Sequence, residues 1–187
     1  MYISNTLVIH PRDPSTDFLE GIYSDKDFDV IRDGNINQCT LRQEIENHDK
    51  IIMMGHGTPA GLINPDFWFG RKTGSVPFTI NRSYVNLLSM KKTISIWCNS
   101  DKFYELNKLS DGNLHTGMII SEIMEEWMCL NDIPLDEDEI LDNMNLFAKA
   151  IHDSIDLEPE EMVENILSIY DGDDEVTQFN RKNIKLV

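Results

Sequence analysis

The chain has 187 residues, 33 acidic against 16 basic side chains for a formal charge of −17, with 41% hydrophobic and 26% charged residues. That size and balance suit one globular domain with a proper core, and argue against disorder. A polyanion of this kind is repelled by nucleic-acid phosphates and anionic lipid, and no window approaches about 18 continuous apolar residues, so neither nucleic acid nor membrane is an expected partner.

In chain order, Thr6-Leu7-Val8-Ile9 predicts a buried strand stopped by His10-Pro11 and the polar turn Arg12-Asp13-Pro14-Ser15. Ser15 or Thr16 is placed to cap a short helix carrying Phe18, Leu19 and Ile22. Phe28-Asp29-Val30-Ile31 reads as a second strand ended by Asp33-Gly34, and Thr40 to Asn47 as a helix with Leu41 and Ile45 on one face. Lys50 to Met54 is a third strand, running into Gly55-His56-Gly57. Residues 58–78 mix Pro59, Gly61, Pro65, Gly70, Gly74 and Pro77 with Phe67, Trp68 and Phe69. That mixture predicts a long loop or a small hairpin, its aromatics covering a site or filling the core edge.

Tyr84, Leu87 and Leu88 mark a helix, and Thr93 to Trp97 a fourth strand. After Asp111-Gly112-Asn113 a helix is expected from about Thr116, with Ile119, Ile120, Ile123 and Trp127 on its apolar side. His115 is then placed to cap it. A further helix from about Asp136 carries Ile140, Met144, Phe147, Ala148 and Ile151, and Glu158-Pro159-Glu160-Glu161 opens another. The tail from Thr177 to Val187 reads as an edge strand or a frayed end. The acidic runs 136–139 and 171–175 lack EF-hand spacing and read as a helix start and a surface turn. His48 and His152 fall on polar helix sides and are expected in solvent.

This order predicts an α/β domain over 1–187: a mainly parallel sheet flanked by helices, with C-terminal helices from about 136 packed on it. Three cysteines, Cys39, Cys98 and Cys129, form no CxxC pair, which argues against a disulfide framework or zinc site and for a reducing cytosol. Met1-Tyr2-Ile3-Ser4-Asn5 lacks the basic and apolar regions of a secretory signal, so a cytoplasmic location is expected. No cofactor or metal is expected, and the sequence leaves the oligomeric state open. Cys39 and Cys129 sit in helical patterns as structural residues.

Two apolar runs end in reactive residues. Ile51-Ile52-Met53-Met54 leads to His56, and Ile94-Ser95-Ile96-Trp97 leads to Cys98. Carboxyl ends of parallel strands are where such sheets place their chemistry. On adjacent strands, an imidazole reaches a thiol and activates it as a nucleophile. Cys98 is therefore expected to alkylate much faster than Cys39 or Cys129. Gly57 leaves room for a substrate backbone, and the amides of Gly57 and Cys98 are candidate oxyanion donors. If the first and third strands are neighbours, His10, Arg12, Asp13 and Asp17 share the same sheet edge as candidate substrate contacts. A capped turn is the structural alternative for that loop.

An apolar block before His56-Gly57, a spacer, and a second apolar block before Cys98 resembles the caspase-like (clan CD) cysteine peptidases, over roughly Thr6 to Trp127. The resemblance implies a three-layer caspase-like sandwich, Cys98 as nucleophile, His56 as general base, and a peptide or protein substrate. It implies Arg12 in the pocket for the side chain preceding the scissile bond, whereas Asp13 or Asp17 there would select a basic side chain. The sequence departs from the family in Ile96, where caspases have Gln and metacaspases Asp, and in Asn99-Ser100 after the cysteine. Those departures keep a non-catalytic binding module on the same fold in view. A nucleotide- or small-molecule-binding α/β protein is the third reading, although GxGxxG and GxxxxGK[ST] stretches are absent.

Overall fold

The computed structural model describes residues 5–109, 114–130 and 136–186. The expected opening is present: β1 (Thr6–Ile9), a 3-10 helix (Pro14–Ile22), β2 (Asp29–Ile31), α1 (Gln38–Asn47) and β3 (Lys50–Met54). Asp13, rather than Ser15 or Thr16, caps the 3-10 helix, its side chain accepting from Ser15 N–H. The segment read as a loop or hairpin holds β4 (Gly57–Thr58), β5 (Gly61–Ile63), a single turn α2 (Pro65–Trp68) and β6 (Phe78–Asn81), and the three strands form a small antiparallel sheet. A 3-10 turn (Arg82–Tyr84), α3 (Val85–Leu88), β7 (Lys92–Ile96) and α4 (Ser100–Asn107) follow.

The next stretch differs from expectation. The helix foreseen from Thr116 is instead β8 (Leu114–Thr116), a turn, and α5 (Ile123–Leu130); Asp111-Gly112-Asn113 lies outside the described residues. The reason is a side-chain clamp. Asn180 Oδ1 accepts from Ile120 N–H at 2.7 Å and its Nδ2 donates to the Ile120 carbonyl at 3.0 Å, while Gly117 N–H donates to the Asn183 carbonyl at 2.7 Å. Backbone groups satisfied in this way have no need of a helix. His115 consequently lies in the sheet and caps nothing.

α6 (Glu137–Ser154) starts with a reciprocal capping box between Asp136 and Glu139, and α7 (Pro159–Ile169) with Pro159 in its first turn, as the sequence suggested. The tail is α8 (Glu175–Lys182), capped by Asp174, then the edge strand β9 (Ile184–Leu186).

The main sheet has six strands in the order β2-β1-β3-β7-β8-β9, parallel apart from β9. Side chains alternate faces along a strand, which gives the molecule two apolar layers. Val8, Ile52, Met54, Ile94 and Ile96 pack under the 3-10 helix, α6 and α7; Leu7, Ile9, Ile51, Met53 and Trp97 pack against α1, α4 and the small sheet. β1 and β3 are neighbours whose chains leave in opposite directions across the sheet, so their exit loops part at a topological switch point. Among the described residues, no helix is long and apolar enough to cross a membrane.

Three histidines are held differently from expectation: His48 and His152 are not in solvent, and His115 caps no helix. His48 is buried and bonds Asp29 Oδ2 at 2.8 Å and the Glu44 carbonyl at 2.7 Å; burial pulls its pKa down, but these partners outweigh it and the net shift is upward. His152 is half-buried against the Ile22 carbonyl and Asp25. His115 is buried against Tyr104, ring centroids 3.7 Å apart, with neither ring nitrogen hydrogen-bonded among the described residues.

Burial lowers the His115 pKa to about 4, and burial with the Arg32 charge lowers that of His10 to about 3. Each value lies below the unfolded value of about 6.5, so in that window the unfolded chain binds a proton that the native state refuses. Stability is therefore full above pH about 6.5 and falls as pH drops towards the folded values, by about 1.4 kcal/mol per unit for each histidine. His115→Leu should remove one such slope without costing a hydrogen bond. Urea unfolding at successive pH values between 7 and 4 is expected to give the variant a shallower loss of stability than the wild type.

Candidate active site

Pairing of β3 with β7 sets residues 42 apart opposite one another, from Lys50↔Lys92 to Met54↔Ile96. His56 and Cys98 carry that same separation. The pairing also runs past the strand ends, because Gly55 N–H donates to the Ile96 carbonyl at 3.1 Å. Alternation then places His56 and Cys98 on the face of Ile52, Met54, Ile94 and Ile96, beneath the 3-10 helix and α6. Both line one cavity of about 30 Å³, together with Thr16, Leu19, Ile119 and Ser121. Asn99, in a left-handed conformation at φ 65°, swings the chain from β7 into α4 and leaves Cys98 at the rim.

The glycines flanking His56 have distinct reasons. Gly55 has φ 132°, a backbone conformation that side chains avoid. A Cβ on Gly57 would lie 1.9 Å from Cδ1 of Trp97, so this glycine makes room for an indole, where the sequence suggested room for substrate. Ile63 N–H donates to the His56 carbonyl at 2.9 Å, which turns the Gly57 amide away from β5 in the Gly57↔Leu62 pair. The Cys98 amide makes no hydrogen bond among the described residues.

The thiol is not bonded to His56. Its sulfur faces the Ile119 carbonyl at 3.5 Å and Glu125 Oε1 at 3.8 Å. Burial, reinforced by the Glu125 carboxylate, pushes the Cys98 pKa up to about 12, so in this conformation it is a protonated thiol near neutral pH. Glu125 is itself raised by burial, an effect partly offset by the Ser121 amide and hydroxyl, which donate to Oε2 at 2.8 and 2.9 Å. The expectation that Cys98 is the fastest-reacting cysteine is therefore corrected for this closed arrangement: Cys39, at the start of α1, is exposed, and Cys129 is half-buried on α5.

The predicted substrate contacts divide. His10 is fully buried beneath the 3-10 helix, bonded to Tyr23 Oη at 3.0 Å and Thr16 Oγ1 at 3.2 Å, so it is a core residue and touches no substrate. Asp13 is buried as the helix cap. Asp17 is engaged by Arg32 at 3.0 Å. Arg12 is exposed beside a separate polar cleft with Arg32, Asn64 and Asp66. Of the aromatic run, Phe69 reaches His56 edge-on at 6.5 Å between centroids, and Phe67, Trp68 and Phe69 are exposed, outside the core.

Sequence reasoning missed Ser15 and Glu125 as site residues. Ser15 Oγ lies 2.7 Å from His56 Nε2 and was legible only as a capping candidate. Nothing local marks Glu125, because the segment that carries it is pinned at Ile120 by Asn180, 60 residues further along the chain. Among the described residues, no group of His, Cys, Asp or Glu is arranged to hold a metal ion. Comparisons with protein-family models, curated proteins and solved structures each find no match to this chain.

Glu125→Gln keeps the side-chain shape and removes the charge beside the thiol. Alkylation of Cys98 by iodoacetamide near neutral pH should be slower than that of Cys39 in the wild type and rise about tenfold or more in the variant. Peptide mass spectrometry after timed labelling reads each cysteine separately.

Proposed function

We propose that this chain is a caspase-like cysteine peptidase held in a closed resting arrangement, with Cys98 as nucleophile and His56 as general base. One observation carries the reading: the paired strands β3 and β7 end in loops that bring His56 and Cys98 to line one cavity. In the main sheet the histidine follows the third strand in chain order and the cysteine the fourth, consistent with the family resemblance and with a helix–sheet–helix sandwich.

Once the Ile119 and Glu125 side gives way, His56 takes the thiol proton and the thiolate attacks the scissile carbonyl carbon. The oxyanion so formed faces the free Gly57 and Cys98 amides. Cleavage of the C–N bond passes the proton from His56 to the leaving amine, and water, deprotonated by His56, hydrolyses the acyl-enzyme. Next to Ser15 an open cleft of about 470 Å³ is lined by Phe18, Ile123, Leu141 and Met144 with Glu122 and Glu137 among them, which suits a peptide carrying apolar and basic side chains. Basic selection here rests on those glutamates; Asp13 and Asp17 are already engaged.

The raised thiol favours a second reading, a binding module on this fold in which Cys98 does no chemistry. Fluorogenic peptides with Lys or Arg before the reporter, incubated with the wild type and with Glu125→Gln, separate the two. The peptidase reading expects cleavage, enhanced in Glu125→Gln and reduced on the order of 10³-fold by Cys98→Ala or His56→Ala in that background. Cleavage that survives Cys98→Ala, or its absence in every form, rejects it.

A further inference from the structure

We propose that Asp13 and Ser15 form a positioning relay for His56, fixing its proton on Nε2 and leaving Nδ1 bare as the site that accepts the Cys98 proton. Asp13 is almost fully buried, and its carboxylate is an acceptor only. Its Oδ1 faces the Ser15 amide at 3.2 Å and the Ser15 hydroxyl at 3.1 Å. Ser15 has a single hydroxyl proton. With that proton directed to Asp13, a lone pair of Oγ meets His56 Nε2 at 2.7 Å, and the ring nitrogen must be the donor.

A second acceptor stands on the same side: Glu122 Oε1 is 3.9 Å from Nε2. The edge of Phe69 also lies against the ring, and the ring acts electrostatically on Glu125. Nδ1 has no hydrogen-bond partner among the described residues. The arrangement follows the general logic in which a base is oriented by a third group, with a serine interposed between carboxylate and imidazole. Its source in the sequence is the Asp13-Pro14-Ser15 turn on the exit loop of β1, and the adjacency of β1 and β3 delivers that turn to His56.

The catalytic meaning of the relay rests on the peptidase reading, but its existence does not. Ser15→Ala removes the hydroxyl and keeps the amide that Asp13 needs as helix cap, so the fold is left in place. On the whole chain labelled with ¹⁵N-histidine, the imidazole nitrogen shifts report the tautomer directly. Wild-type His56, measured where the ring is neutral, is expected to be protonated on Nε2. In Ser15→Ala the shifts should move towards an average of both tautomers, and Ser15→Thr, which restores a hydroxyl, should restore the wild-type spectrum. In the Glu125→Gln background, Ser15→Ala should also slow Cys98 alkylation about tenfold, with recovery in Ser15→Thr.

A wild-type ring protonated on Nδ1, or shifts unmoved by Ser15→Ala, overturns the relay whatever the chain does to peptides. A tautomer that responds as expected in a chain that cleaves no peptide confirms the relay and sinks the peptidase reading instead.

Discussion

The site depends on the register of two parallel strands. Because β3 and β7 pair without a slip, a single offset governs every cross-strand neighbour from Lys50↔Lys92 to Met54↔Ile96, and the backbone bond from Gly55 to Ile96 carries it into the exit loops. A one-residue slip would send either His56 or Cys98 to the opposite face, under α1 and α4. The register is protected by what lies behind it. Ile51 and Met53 fill one layer and Ile52 and Met54 the other, all fully buried, so any slip exchanges two sets of packed side chains at once. The core and the site are thus one constraint seen from two ends of the same strands.

Around that pair lie the 3-10 helix and the 118–125 segment, which meet along one cleft. The first brings Asp13 and Ser15 to the imidazole; the second brings Ile119 and Glu125 to the thiol. Their electrostatic effects oppose each other. In the proposed relay, the carboxylate linked through Ser15 favours a proton on Nε2, the ring nitrogen that faces Ser15. A carboxylate next to the sulfur disfavours the thiolate, and burial adds to it.

The sheet was readable because its strands are continuous apolar runs, which both-face burial demands; Thr6–Ile9, Lys50–Met54 and Lys92–Ile96 fall within a residue of expectation. The starts of α6 and α7 were readable from their capping chemistry. Leu114–Thr116 was not. Three residues with a histidine in the middle carry no periodicity, and the apolar residues beyond them, Ile119, Ile120 and Ile123, imitate a helix face that Asn180 overrides from another part of the chain. The same long-range clamp hid the covering of Cys98. Sequence spacing therefore revealed which residues share a rim, while their partners, Ser15 and Glu125, needed the tertiary contacts.

In the proposed peptidase, the covering of Cys98 has to move, and α5 carries part of that covering. Moving the Cys98 thiol from its ordinary pKa of 9.0 to about 12 penalises the thiolate by about 4 kcal/mol at 1.4 kcal/mol per unit, more than orientation of His56 alone can offset. In the peptidase reading that obstacle is removed by displacement of the Glu125 side. Among the residues of α5 only Glu126 is buried, whereas Met124, Trp127 and Met128 are 61–67% exposed. Ile123 anchors the start of this helix to the core, and Glu125 is bonded by Ser121. The clamp on Ile120 sits N-terminal to α5, so it can hold while the helix swings. The cleft beside Met124 and Glu122 is lined by the same segment that covers the thiol, so in the peptidase reading substrate and covering share one surface.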